Sequence, residues 1–199
     1  IDLSLALEET YGDRMNTEKT LKHFRNGRSI SDTLDYMENL VKAGVDMFDV
    51  DLGCYDNWWL PHPPAGMPAG CFLDIAKVAK EYFAARGIKS NAGVEIPIVA
   101  VGKLGYPDIA EKALRDGKAD MIMLGRPVLA DENWCNKAYA GQVEEIRPCI
   151  GCQEGCMGRI QNYSLINCAV NPQCARERYF AYNPILRKKK VVIIGGGVA

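Results

Sequence analysis

Four cysteines fall within twenty positions. Cys149, Cys152, Cys156 and Cys168 follow the pattern C-x2-C-x3-C-x11-C inside RPCIGCQEGCMGRIQNYSLINCAVNP, residues 147–172. Thiolates spaced two and three residues apart let one short turn present three ligands while a fourth returns from a longer loop, an arrangement suited to a [4Fe-4S] cluster. Zinc also takes four thiolates, but its structural sites usually pair two C-x2-4-C knuckles, and here an eleven-residue gap replaces the second. Disulfides are disfavoured because no secretion signal is present in the sequence. At this stage iron-sulfur and structural zinc both stand. The other four cysteines, Cys54, Cys71, Cys135 and Cys174, read as small apolar packing residues, with Cys174 near enough to the motif to be an alternate ligand.

Three further stretches carry chemistry. In IPIVAVGKLG, Gly102 and Lys103 offer a backbone N–H and a cation where an apolar run ends; in MIMLGRP, Gly125 and Arg126 repeat the combination one unit later. Together they make a clamp for a phosphate such as that of a flavin. KVVIIGGGVA reads as a buried strand running into G-x-G, with Gly195 and Gly197 placed to bring backbone N–H groups up to a pyrophosphate. Between the first strand and its helix lies DLGCYDNWWLPHPPAGMPAG. Here His62 could donate a proton or polarise a carbonyl, Tyr55 is the second catalytic candidate, and Tyr55 with Trp58 and Trp59 could line an apolar pocket. Asp49 and Asp51 alternate on one strand face and would serve neighbouring backbone.

The elements that position these groups alternate. Helices are expected near 29–44, 71–86, 107–116 and 127–140, with strands at 45–51, 96–101 and 119–124. Alternation at this spacing argues for parallel βαβ units. A doubly wound sheet would carry its glycine fingerprint after an early strand, whereas none occurs before residue 195. Glycines and cations at the ends of two successive strands favour a (β/α)8 TIM barrel, whose phosphate site often follows strands 7 and 8. A whole barrel takes about 250 residues. Residues 1–147 therefore read as its C-terminal half, 148–186 as an irregular cysteine segment, and 187–199 as the first strand of a Rossmann-like nucleotide-binding domain. Starting at Ile1 and ending within IIGGGVA, the sequence reads as an internal piece of a longer polypeptide.

Bulk composition narrows the classes of function. The 199 residues are 48% hydrophobic and 25% charged, as in a globular protein with apolar material for a real core. A formal net charge of -1 gives no electrostatic reason to expect nucleic acid or an anionic membrane as partner. The basic run Arg187–Lys190 reads as a solvated flank. No apolar stretch approaches the roughly 20 residues of a membrane helix. A cytoplasmic protein acting on a small molecule, as a monomer or a homo-oligomer, is the expectation.

Three features in fixed order, VDMFDVDLGCYDNWWLPHPP, IPIVAVGKL with GKADMIMLGRPVLAD, and IRPCIGCQEGCMGRI with CAVNP, resemble the multidomain branch of the Old Yellow Enzyme family. That branch includes 2-enoate reductase, 2,4-dienoyl-CoA reductase, the NADH:flavin oxidoreductases of bile-acid dehydroxylation and, more distantly, trimethylamine dehydrogenase. The resemblance implies an FMN-bearing barrel, a [4Fe-4S] cluster and a C-terminal region for FAD and NAD(P)H. Gly102, Lys103, Gly125 and Arg126 would fall in the FMN phosphate region, Cys149, Cys152, Cys156 and Cys168 would hold the cluster, and His62 would lie near the active-site loop. Lys103 stands where many relatives have Arg, keeping the charge without the planar fork. The implied activity is reduction of the C=C bond of an α,β-unsaturated carbonyl compound, with electrons passing from NAD(P)H through FAD and the cluster to FMN. Amine or other C–H dehydrogenation on the same scaffold is the nearest alternative, and a non-redox protein with a structural zinc module is one of another class.

Overall fold

The computed structural model describes residues 30–52, 61–180 and 184–196. Its first helix, α1 (Ile30–Lys42), leads into β1 (Phe48–Val50); α2 (Leu73–Arg86) leads into β2 (Ile98–Ala100), and α3 (Pro107–Arg115) into β3 (Met121–Ile122). The three strands are parallel in the order β1-β2-β3, with Phe48 opposite Ile98 and Val99 opposite Met121. The protein is thus α/β with a parallel sheet, as the alternation of periods predicts. β2 is buried throughout, as an all-apolar run in the middle of a parallel sheet should be. Asp120 Oδ2 accepts the Ile98 N–H at 2.9 Å, so a carboxylate extends the ladder where β3 begins.

The core lies between this sheet and the helices. Phe83 of α2 stacks on Phe48 of β1, with ring centroids 5.6 Å apart. Met37, Ala76, Ala79, Ile98 and Ala100 complete a cluster with almost no solvent access. Tyr82 of α2 donates its hydroxyl to Asp35 at 2.6 Å and lies under the Arg86 guanidinium, fastening α1 to α2. Gly87, in the left-handed conformation, ends α2 where the sequence places a stop.

Two expectations are corrected. The single helix expected over 127–140 is divided into α4 (Arg126–Ala130) and α5 (Trp134–Tyr139). Asp131 causes the break: its backbone is extended, and its buried carboxylate accepts from the Asn133 N–H at 3.0 Å, the Lys137 ammonium at 2.7 Å and the Arg147 N–H at 2.8 Å. A short acidic side chain that satisfies nearby backbone competes with the helix for it. Near the C-terminus, residues 191–194 form no strand; Val191, Val192, Ile193 and Ile194 are 78–96% exposed. An apolar run becomes a strand only when another strand supplies the ladder, and none among the described residues does. Arg187–Lys190 are exposed, as expected of a solvated flank.

From residue 148 to 180 the chain is mostly turns around one short helix, α6 (Met157–Gln161). Among the described residues, no helix is long and apolar enough to cross a membrane.

Candidate functional site

The loop after β2 contains Gly102, whose φ of +109° suits glycine and whose absent Cβ would lie 2.5 Å from Phe72 Cδ2. This close seat on α2 fixes where Lys103 departs. Gly125 and Arg126 leave the end of β3 one unit later. Gly102, Lys103, Gly125, Arg126 and His62 all line one cavity of about 280 Å³, just below the roughly 300–1,000 Å³ usual for small-molecule sites. Tyr55, the other residue expected to act in catalysis, lies outside the described residues, as do Trp58, Trp59 and Cys54.

Both cations reach the same loop. Lys103 Nζ donates to the carbonyls of Pro64 at 3.2 Å, of Ala65 at 2.8 Å and of Met67. Arg126 Nη2 donates to the Pro63 carbonyl at 2.9 Å, while its Nη1 is buried and has no partner among the described residues. The Gln153 amide, from the cysteine segment, donates to the His62 carbonyl. A run of backbone oxygens from His62 to Met67 is therefore held by three side chains from three different elements.

The four motif cysteines come together. Cys149, Cys152, Cys156 and Cys168 line a second, smaller cavity, and Arg126, Leu129, Cys149 and Cys156 belong to the walls of both. The thiols line a cavity wall rather than converging on a point: among the described residues no three His, Cys, Asp or Glu side chains are placed to hold a single metal ion. Burial raises the Cys156 thiol above its ordinary pKa, with Cys149 and Cys152 adding to the effect and Arg126 opposing it. Of the remaining cysteines, Cys71 and Cys174 are buried as expected. Burial pushes the Cys71 thiol up to about 11, and burial, followed by the neighbouring Cys168, raises Cys174. Cys135 is exposed, contrary to expectation, because α5 lies on the surface and turns it outward.

Several residues that build this site escaped the sequence reading. Gly151, between the first two cysteines, has φ +67° and meets the loop so closely that a Cβ would lie 2.9 Å from Ala65 N. Asn171, 2% exposed, donates to the Leu129 carbonyl at 3.0 Å and accepts from the Gln173 N–H at 3.1 Å, tying the fourth cysteine's turn to α4. Its signal was present in the VNP flank of the last motif cysteine but was read only as a flank. Asp51 accepts the N–H of its neighbour Leu52 at 2.7 Å, and burial raises both Asp49 and Asp51 above the usual carboxylate range. Gly195, from the glycine run, is exposed with φ +95° and nothing packed near it, and Gly197 lies outside the described residues.

No family model matches the sequence. Over 173 residues the chain is 40% identical to a cinnamate reductase of Clostridium sporogenes, covering 87% of this chain and 24% of that protein. It is 34% identical over 184 residues to a bilirubin reductase of Mediterraneibacter gnavus, covering 92% and 27%. Among solved structures, histamine dehydrogenase from Rhizobium sp. 4-9 superposes with a TM-score of 0.62 at 25% identity, covering 75% of this chain and 19% of that one. The chain thus spans about a quarter of the length of the curated relatives it matches. With reductases similar across nearly all of its sequence, an alkene reductase of the Old Yellow Enzyme type similar over about half of it and an amine-oxidising enzyme similar in structure, the chain resembles a piece of the Old Yellow Enzyme-like flavin oxidoreductases.

Proposed function

We propose that this chain forms the C-terminal half of an FMN-binding TIM barrel together with a [4Fe-4S] segment, in an enzyme that reduces the C=C bond of an α,β-unsaturated carbonyl compound with NAD(P)H. The observation that carries the reading is the shared wall: the cavity lined by Gly102, Lys103, Gly125 and Arg126 and the cavity lined by the four cysteines have Arg126, Leu129, Cys149 and Cys156 in common. Groups held in these two cavities would have one layer of side chains between them, a spacing that would suit electron exchange. The similarity to cinnamate and bilirubin reductases supports a C=C bond as substrate.

The residues fit the groups. Arg126 Nη1, buried and unpartnered on the rim of the larger cavity, is the donor that an anionic cofactor would satisfy. Four thiols around one hollow could supply one thiolate to each iron of a [4Fe-4S] cluster. When bound, a flavin supplies hydride-transfer chemistry and an iron-sulfur cluster supplies one-electron transfer. The chain's own part is positioning. Gly151 and Gln153 press the cysteine turn onto the loop carrying His62, and Asn171 fixes the turn bearing Cys168 against α4. His62 lines the larger cavity, where its imidazole would hold or polarise a substrate oxygen. The glycine run bearing Gly195 and Gly197, which follows the cysteine segment in sequence, would hold FAD and so complete the proposed path from NAD(P)H. The reading assigns the protein to the cytoplasm.

The superposition on histamine dehydrogenase favours a second reading, amine oxidation on the same scaffold. Anaerobic stopped-flow spectroscopy separates the two. Reoxidation of NADH-reduced flavin by an enoate supports the ene-reductase. Flavin reduction by an amine without nicotinamide, and no reaction with an enoate, would replace it with the dehydrogenase.

A further inference from the structure

We propose that the two cations of the site have different tasks: Lys103 fastens the His62–Met67 loop, and Arg126 alone reads the cofactor's phosphate. The inference rests on the flavin reading above and divides a clamp that the sequence presents as a pair. An ammonium has three N–H donors and no more. In Lys103 all three are directed at carbonyls, those of Pro64, Ala65 and Met67. A phosphate could recruit this side chain only by stripping it from the loop, leaving three backbone oxygens to find other donors. A guanidinium has five N–H donors in a planar fork. Arg126 spends Nη2 on the Pro63 carbonyl and keeps Nη1 buried without a partner beside the cavity. The same fork therefore holds the loop and still faces an anion.

The backbone around Lys103 agrees with a fastening role. Lys103 adopts φ +51°, uncommon for a residue with a Cβ, directly after Gly102 at φ +109°. Strain of this kind persists where surrounding contacts over-determine it, and the three carbonyl bonds are such contacts. Lys103 is then a positioning residue, acting on His62 through the loop that carries it. Gly70, whose N–H donates to the Lys103 carbonyl at 3.2 Å, joins the far end of the same loop to the same residue.

FMN and riboflavin differ by one phosphate, so their affinities separate the two tasks. The full-length protein, freed of flavin, is titrated with each by fluorescence quenching, as wild type, K103M and R126M. Arg126→Met is expected to weaken FMN about 10- to 100-fold more than riboflavin, the usual scale of charge-assisted hydrogen bonds. Lys103→Met is expected to weaken both by the same factor, within about threefold, and to speed amide exchange at Ala65, Gly66 and Met67 by about tenfold or more. Selective loss of FMN affinity in K103M overturns the division. A second measurement needs no variant: in the wild type, saturating FMN and saturating riboflavin should leave exchange at Met67 alike. Loosening by FMN alone would show the phosphate drawing Lys103 off the loop, which also overturns it. A wild type that binds neither flavin overturns the flavin reading itself and the inference with it.

Discussion

Replacing Gly151 by alanine tests whether the cysteine turn is seated on the His62 loop as the structure has it. Gly151 lies at φ +67°, where a residue with a Cβ costs about 1–2 kcal/mol. Its new Cβ would lie 2.9 Å from Ala65 N, 3.0 Å from Ala65 Cα and 3.3 Å from Pro64 C. These are backbone atoms, pinned by the Lys103 bonds to the Pro64 and Ala65 carbonyls, so they cannot swing aside as a side-chain tip would. Overpacking of this kind costs about 1–3 kcal/mol. The sum, about 2–5 kcal/mol, exceeds what the Gln153 bond to the His62 carbonyl can return. The cysteine turn should therefore detach from the loop before the sheet unfolds. Hydrogen exchange reads this directly, as a fall of about 2–5 kcal/mol in the opening free energy at residues 65–67 and 151–158, with β2 unchanged. Gly151→Asn separates the two terms, because asparagine tolerates the left-handed conformation but brings the same Cβ. It should remain well below wild type. Local stability of G151A within about 0.5 kcal/mol of wild type, the range of a neutral surface change, would refute the contact.

Other expectations follow from single residues. Asp131→Asn removes the negative charge and turns one of the two oxygens that serve three donors into an NH2 group, at a site 2% exposed, and should cost about 3–5 kcal/mol, measured by urea unfolding of the region from α4 to Arg147. Burial raises the Asp131 carboxyl, but the bonds from Lys137, Arg147 and Asn133 outweigh it and hold the group below its ordinary 3.8. Its contribution is therefore complete above that value and disappears as pH falls through the lowered one; acid unfolding followed by circular dichroism should show an acid-side loss absent in D131N. Asn171→Asp sets a carboxylate against the Leu129 carbonyl and beside Glu132, and should cost at least about 1–3 kcal/mol at neutral pH, with iron lost from the purified protein and partial recovery in acid. Serine at Cys149, Cys152, Cys156 or Cys168 should each abolish a full iron complement, while serine at the exposed Cys135 should not, as counted by metal analysis.

Much of the scaffold was legible because it rests on local signals. Apolar periodicity located α1, α2 and α3, Gly87 marked a helix end, and a short run of apolar residues between glycines gave the central strand. That Cys149, Cys152, Cys156 and Cys168 would share one cavity was legible from spacing, because thiols two and three residues apart fall on one short turn. What sequence could not reveal depends on distant partners. Asp131 breaks a helix because Arg147 and Lys137 arrive to complete its carboxylate, and nothing near position 131 announces them. Lys103 and Arg126 looked equivalent as two cations after two strands; only the carbonyls of a loop some forty to sixty residues upstream distinguish them. Residues 191–194 have the pattern of a buried strand, yet pattern records what a segment can pair with, not whether a partner is there.

The central claim is that the cysteine cavity holds a redox cluster beside a flavin. Anaerobic purification of the full-length protein, followed by its visible spectrum with iron, zinc and flavin analysis, tests this most directly. The account predicts about four irons per chain, a broad brown absorbance bleached by dithionite, and flavin alongside it. One zinc per chain, no iron and a colourless protein would contradict it and leave the cysteines as a structural clasp.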